Sequence, residues 1–106
     1  MATDITPVII GVGQITEKDV PPGAARSPLQ LLQDVVMSAA DDAGMTRADL
    51  NKADHVMVTT LFTDDGMNNP AGCLADAIDA GPAVCIMSGF GGTSPQAMLA
   101  YAAGLI

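Results

Sequence analysis

The sequence predicts an α/β fold in which strands and helices alternate along the chain. Three apolar, β-branched runs each precede a segment with helical character, which gives the order β-α-β-α-β-α. All three predicted helices begin with a polar residue followed by proline, at Ser27-Pro28, Asn69-Pro70 and Ser94-Pro95. Alternation of this kind favours a parallel sheet whose strands are joined by right-handed crossovers.

The three strands are predicted near residues 7–13, 55–62 and 84–87. The first contains Val8-Ile9-Ile10-Gly11-Val12, which is apolar throughout instead of alternating. An uninterrupted apolar run is typical of a strand that is buried on both faces of a parallel sheet.

The helices are predicted near residues 28–43, 70–80 and 95–106. Apolar residues recur every three or four positions in the first helix, and Gly44 provides its C-terminal cap. The third helix ends on Leu105-Ile106 without a capping glycine or a polar tail, and three strands leave two sheet edges open. We therefore expect residues 1–106 to be one incomplete domain, although a small domain with a docking C-terminus would share these features.

Composition excludes several classes of partner. The 106 residues carry 12 acidic and 4 basic side chains, a net charge of −8, which disfavours binding to nucleic acid or to an anionic membrane surface. No apolar run approaches the length of a spanning helix, and the N-terminus lacks a signal-peptide pattern, so we expect a cytoplasmic protein. Cys73 and Cys85 are then expected to be free thiols that serve in packing.

A glycine-rich segment carries the strongest local indication of a functional site. Ser88-Gly89-Phe90-Gly91-Gly92-Thr93-Ser94 follows a strand and precedes a helix. Glycines let a ligand approach the backbone, and the free N–H groups of a helix start favour an anion or oxyanion. A tight turn without a ligand fits the same residues, and the segment has no Gly-Lys-Ser/Thr of a nucleotide-binding P-loop.

Other candidate sites are weaker. Gly11-Val12-Gly13 follows a strand, but Thr16 replaces the third glycine of a dinucleotide fingerprint. His55 is the only histidine, so we expect a structural or surface role for it and no metal cluster around it. The pairs Asp41-Asp42 and Asp64-Asp65 lack the oxygen spacing of a calcium loop.

The order of these motifs resembles the thiolase-like superfamily, especially the acetyl-CoA acetyltransferases near the sterol-carrier-protein thiolases. The resemblance covers nearly the whole chain. The matching motifs are Thr6-Pro7-Val8-Ile9-Ile10-Gly11-Val12-Gly13-Gln14, Ser27-Pro28-Leu29, Asp54 to Thr60, Asn68-Asn69-Pro70-Ala71 and Gly91-Gly92-Thr93-Ser94-Pro95-Gln96-Ala97.

The resemblance implies the start of a layered thiolase-type fold with an incomplete sheet, an N-terminal part of its first half. It implies acyl transfer between coenzyme A thioesters, with acyl-CoA as substrate and no permanently bound cofactor. It also implies a homodimer through the strand Val84–Met87 in the full-length protein. One departure matters, because Gly91 occupies the position where the family carries its nucleophilic cysteine.

Three functions follow from these observations. The first is a part of a thiolase-like acyltransferase that is inactive alone, in which Gly91, Gly92, Thr93 and Ser94 are candidates for contact with a thioester or oxyanion. The second is a non-catalytic thiolase-like module that binds acyl-CoA or a protein. The third is a small Rossmann-like nucleotide binder, against which Thr16 counts.

Overall fold

The structure is a computed structural model that describes residues 6–60, 69–89 and 91–106. Within these residues a short 3-10 helix at Pro22–Ala24 precedes four α-helices and two β-strands. These are α1 Pro28–Ala43, α2 Arg47–Leu50, β1 His55–Val58, α3 Pro70–Ala77, β2 Val84–Met87 and α4 Ser94–Gly104.

The two strands form a parallel sheet. β1 pairs with β2 in a register that runs from His55 opposite Val84 to Val58 opposite Met87. This arrangement confirms the predicted α/β class with parallel strands. β1 is shorter than the predicted 55–62 strand: residues 59–60 lie outside it, and residues 61–62 lie outside the described residues.

The predicted strand at 7–13 is not formed. Residues 6–16 have no regular secondary structure, and Val8, Ile9, Ile10 and Val12 are 65–70% exposed. This segment contacts α1 instead of a strand, because the Val12 N–H donates a hydrogen bond to Asp42 Oδ2 (3.0 Å). The expectation of burial on both faces is therefore wrong for this conformation.

Glycine permits the close contact between this segment and α1. A Cβ atom on Gly11 would overlap the carbonyl oxygen of Ala39, and one on Gly13 would lie 2.6 Å from that of Val35. Both distances are too short for an ordinary contact, so the segment can approach α1 this closely only with glycine at these positions.

α1 forms over the predicted residues, and its ends explain why. Ser27 Oγ accepts a hydrogen bond from the Gln30 N–H (3.2 Å), and the Ser27 N–H donates to Gln30 Oε1 (2.9 Å). This reciprocal capping box satisfies two backbone donors at the helix start. Gly44 ends the helix in the left-handed conformation at φ 71°, as the sequence predicts.

The later helices differ in their bounds from the prediction. α3 begins at Pro70 after the Asn69 cap, but it ends at Ala77 instead of residue 80, and Asp79 adopts a left-handed φ of 60°. α4 includes Ser94, which the sequence places at the cap, and it ends at Gly104 instead of residue 106. Thr93 precedes it without a capping side-chain hydrogen bond, and the Ser94 hydroxyl donates to the Gly89 carbonyl in the preceding turn.

The short helix α2 is absent from the prediction. Thr46 and Asp49 form a second capping box around it, in which the Thr46 N–H donates to Asp49 Oδ2 (2.8 Å). The spacing of a threonine and an acid three residues later is the sequence signal for this helix.

The core lies on one face of the sheet. It is formed where α3 packs on β1 and β2, with α1 beyond α3. Its buried members are all aliphatic: Val56, Val58, Ala71, Leu74, Ala75, Ile78 and Ala80. An aliphatic core agrees with the low aromatic content of the chain. Cys73 is half-buried in α3, whereas Cys85 on β2 is exposed, which corrects its assignment to packing.

Candidate functional site

The glycine-rich turn lies at the carboxyl end of the parallel strands, between β2 and α4. Ser88 joins the two strand ends, since the Thr60 N–H donates to Ser88 Oγ (3.1 Å) and the Thr60 hydroxyl donates to the Ser88 carbonyl. The carboxyl edge of a parallel sheet is where α/β proteins usually bind their ligands. The turn therefore has the position of a binding site and is fixed to both strands.

Ser94 closes the turn from the helix side. Its hydroxyl donates to the Gly89 carbonyl (3.0 Å), and its N–H donates to the Gly91 carbonyl (3.1 Å). The Ser88 hydroxyl also donates to the Gly89 carbonyl (2.9 Å). Both serine hydroxyl hydrogens are thus used to hold the turn, and neither serine has a base that would activate it as a nucleophile among these hydrogen bonds.

The start of α4 offers few backbone donors. Pro95 has no N–H, the Ser94 N–H is bonded to Gly91, and the Ala97 N–H is bonded to the Thr93 carbonyl. Among the donors of the first turn, this leaves the Gln96 N–H to meet a ligand. An anion or oxyanion at this site would depend on Gln96 together with the N–H groups of the turn itself.

Gly91 adopts a backbone conformation that other residues avoid. Its φ is 143°, a value at which an L side chain is strained. Space is not the obstacle, since the nearest atom to a Cβ at this position would be Ser94 Oγ at 3.8 Å. A cysteine at position 91 would have room for its Cβ atom but would strain the backbone.

A small cavity of about 270 Å³ lies between this turn and the face of the sheet opposite the core. Ser88, Gly89 and Ser94 form its polar end, and Met57, Ile86 and Met98 contribute apolar walls. None of the residues that line it is charged. The cavity suits a small neutral group with one polar end.

The two arginines are paired with acids away from the turn. Arg26 pairs with Asp34 (3.2 Å) and approaches Glu17 (4.0 Å), whereas Arg47 pairs with Asp79 (3.5 Å). Because none of the charged residues lines the cavity at the turn, the site has no ready partner for a phosphate.

The other candidate residues are not brought to the turn. His55 begins β1, so it lies at the amino end of the sheet, roughly 10 Å along the strand from the edge that carries the turn. Cys73 lies in α3 and Cys85 within β2, so neither belongs to the turn. No group of histidine, cysteine and acidic residues suitable for a metal occurs among the described residues, and Asp64 and Asp65 lie outside them.

Gly11 and Gly13 do not form a phosphate-binding turn. They lie against the body of α1, away from a helix start, and the Val12 N–H between them is bonded to the carboxylate of Asp42. A negative group at the available donor repels phosphate, so this geometry counts against a dinucleotide site. Ser88 and Ser94 both belong to the glycine-rich segment that the sequence singles out, and both hold the turn. Thr60, which also fixes the turn, was missed because hydroxyl residues at strand ends are common.

Comparison with known proteins gives one solved structure of high similarity. It is the crystal structure of a monomeric SCP2-thiolase like protein type 1 from Mycobacterium smegmatis, which is 30% identical with a TM-score of 0.77. The match covers 98% of this chain and 21% of that chain, so this chain spans about a fifth of its length. No family model and no curated protein matches the chain.

Over the described ranges, every helix is too short or too polar to cross a bilayer.

Proposed function

The chain belongs to the thiolase-like superfamily, and we propose that it supplies the glycine-rich turn and helix start of a site for acyl transfer between coenzyme A thioesters. The observation that carries this proposal is the turn itself. It is held at the carboxyl edge of the parallel strands by Thr60, Ser88 and Ser94, next to an uncharged cavity. A thioester carbonyl is small and polar, and its oxygen can accept from the Gln96 N–H.

The chain by itself should not catalyse the transfer. Covalent acyl transfer needs a nucleophile with an adjacent base, and the turn carries Gly91 where the resemblance places a cysteine. His55 lies at the opposite end of the sheet. We expect no thiolysis of acetoacetyl-CoA and no acylated protein by mass spectrometry; turnover by the purified chain would contradict this expectation.

The thioester end should be bound in preference to the nucleotide end. The described arginines are paired with acids, and the cavity at the turn has no charged lining. We therefore expect S-acetyl-pantetheine to bind as well as acetyl-CoA, with an affinity that changes little between low and high salt, because salt screens only charge contacts.

Nuclear magnetic resonance titration tests the site directly. Acetyl-CoA and S-acetyl-pantetheine should shift the amide signals of Gly92 and Gln96, and 3′,5′-ADP should leave them unchanged. The Gly91→Ala variant should weaken binding, whereas Gly23→Ala, at an open position distant in sequence from the turn, should not. Shifts with 3′,5′-ADP alone, at Gly11 to Gly13, would instead favour the nucleotide-binding function.

A homodimer through β2 is a separate proposal. Val84 and Cys85 are exposed, and in the described residues the outer edge of β2 has no partner strand. The solved relative from M. smegmatis is described as monomeric, so pairing at this edge is not a requirement of the fold. Light scattering after size exclusion should give a dimer that a Cys85→Pro variant abolishes, because proline removes an edge donor.

A further inference from the structure

The cavity at the glycine-rich turn continues as a slot between α4 and the sheet face opposite the core. On α4 its lining follows one stripe, from Ser94 through Met98 to Tyr101, because residues three and four apart lie on the same side of a helix. On the sheet its lining includes Met57 and Ile86, which are direct neighbours across the two strands. The slot therefore runs along α4, away from the turn.

The walls of the slot beyond the turn are apolar. They are formed by Met57, Ile86 and Met98, and no charged residue contributes to them. Apolar walls favour a hydrocarbon chain, because the chain leaves water when it enters. The amide groups of a pantetheine arm would find no hydrogen-bonding partner there, which disfavours their burial. A thioester whose carbonyl lies at the turn would therefore place its acyl chain in the slot and its pantetheine arm outside.

Tyr101 closes the end of the slot that is distant from the turn. It follows Ser94 by seven residues, which is about 10 Å along the helix axis. Val84 and Leu105, the next residues along the same strand and helix faces, are not part of the lining. Tyr101 is 53% exposed, so it meets both the slot and water, as tyrosines at the border of an apolar site commonly do.

The slot has room for a short chain only. Helical side chains lean towards the N-terminus, so the ring of Tyr101 leans towards the turn and shortens the available length. An extended chain advances about 1.2 Å per bond, so a butanoyl group reaches about 4 Å beyond its carbonyl carbon and an octanoyl group about 8 Å. The butanoyl group therefore fits between the turn and the ring, whereas the octanoyl group meets the ring.

We propose that Tyr101 sets the length of the acyl chain that this site accepts, so that short acyl thioesters bind and longer ones collide with its ring. The inference rests on the proposed function, since the thioester carbonyl has to be held at the turn. The ring imposes the limit through its volume, and the hydroxyl is not required for it.

Calorimetric titration of the intact chain with S-acetyl-, S-butanoyl- and S-octanoyl-pantetheine tests the limit. The unmodified protein should bind the first two with similar affinity and the octanoyl ester at least about tenfold more weakly, because overfilling an apolar site displaces its side chains. Tyr101→Ala should remove this difference. Tyr101→Phe should retain it, because the ring is kept.

Two further variants complete the test. Leu105→Ala, about one turn beyond Tyr101, is the matched control and should leave the order of affinities unchanged. Tyr101→Trp enlarges the ring and should weaken binding of the butanoyl ester, which gives an independent measurement if Tyr101→Ala loses helix by circular dichroism.

The outcomes separate this inference from the function on which it rests. If S-acetyl-pantetheine binds but the octanoyl ester binds equally well, or if Tyr101→Ala leaves the difference unchanged, the role of Tyr101 is wrong and the proposed function stands. If S-acetyl-pantetheine does not bind at all, both are overturned.

Discussion

At the residue scale, the conformation of Gly91 decides what the turn can contain. Its φ of 143° is accessible to glycine and strained for other residues, so the glycine at this position is a backbone requirement. The absence of a cysteine there is consequently part of how the turn folds. A binding role through N–H groups fits this backbone better than a nucleophile does.

Gly91→Ala should therefore destabilise the protein by about 1–2 kcal/mol, as expected for an alanine forced to a positive φ. Gly92→Ala is the matched control, because a Cβ there meets nothing within 4 Å and its φ lies outside the strained range. Its effect should stay within about 0.5 kcal/mol. Urea denaturation measures both, and equal losses would show that the φ of Gly91 imposes no constraint.

Asp49 gives the fold a defined dependence on pH. Hydrogen bonds from the Thr46 backbone N–H and hydroxyl lower the pKa of Asp49 below its ordinary value. A lowered folded-state pKa contributes stability above the unfolded-state pKa and loses it as pH falls through the folded-state value. This contribution should therefore be complete at neutral pH, begin to fall below about pH 4 and be lost once the pH is below the folded-state pKa.

Thermal unfolding at pH 7 and at pH 3 tests this contribution. Asp49→Asn should lower the melting temperature at pH 7. The difference in melting temperature between pH 7 and pH 3 should therefore be smaller for this variant than for the unmodified protein. Thr46→Val removes the side-chain hydrogen bond between the same residues, so the double variant should lose less than the sum of the two single variants. Additive losses would mean that Thr46 and Asp49 act separately.

At the element scale, the helix starts show what a local pattern can predict. α1 matches its predicted residues because Ser27, Pro28 and Gly44 act within a few positions of one another. α4 shares the serine–proline pattern, yet Ser94 lies inside the helix, since its hydroxyl bonds to Gly89 in the preceding turn. The Gly89 carbonyl is an acceptor that the serine–proline pattern does not reveal. The same pattern therefore has a different role at the start of α4 than at the start of α1.

Ser27→Ala should accordingly cost about 1 kcal/mol of stability, because it removes an N-terminal cap. Thr93→Ala provides the comparison at α4, where the threonine makes no capping hydrogen bond, and should leave stability nearly unchanged. Chemical denaturation followed by circular dichroism measures both. A loss at Thr93 as large as at Ser27 would contradict the different start of α4.

Strand prediction fails at the element scale for a different reason. His55–Val58 and Val84–Met87 form because each has the other as a partner, whereas residues 7–13 have equal apolar character and no bonded neighbour strand. An apolar run of residues shows that a segment is suited to a sheet. Whether it forms a strand also depends on a neighbouring strand whose free edge lies beside it. The same limit applies to the site: the glycine-rich turn is visible in sequence, but its fixation by Thr60 depends on the pairing of β1 with β2.

At the scale of the whole molecule, stability comes from one face of the sheet. The radius of gyration is 15.0 Å, compared with roughly 13 Å for a compact chain of this length. The apolar residues of the other face and of α4 remain partly open. The packing of α3 on β1 and β2 thus has to carry most of the hydrophobic stabilisation.

Leu74→Ala should for that reason be among the most damaging truncations in the chain. Leu74 is 4% exposed at the centre of this core, and removing a buried leucine side chain costs about 2–5 kcal/mol. The total stability of a domain is only about 5–15 kcal/mol, so the variant should show a much lower urea midpoint by circular dichroism. Leu105→Ala, which truncates a 45% exposed leucine after α4, should remain folded with a nearly unchanged urea midpoint. If Leu105→Ala is as damaging as Leu74→Ala, the core extends over both faces of the sheet, and the one-sided distribution of stability is wrong.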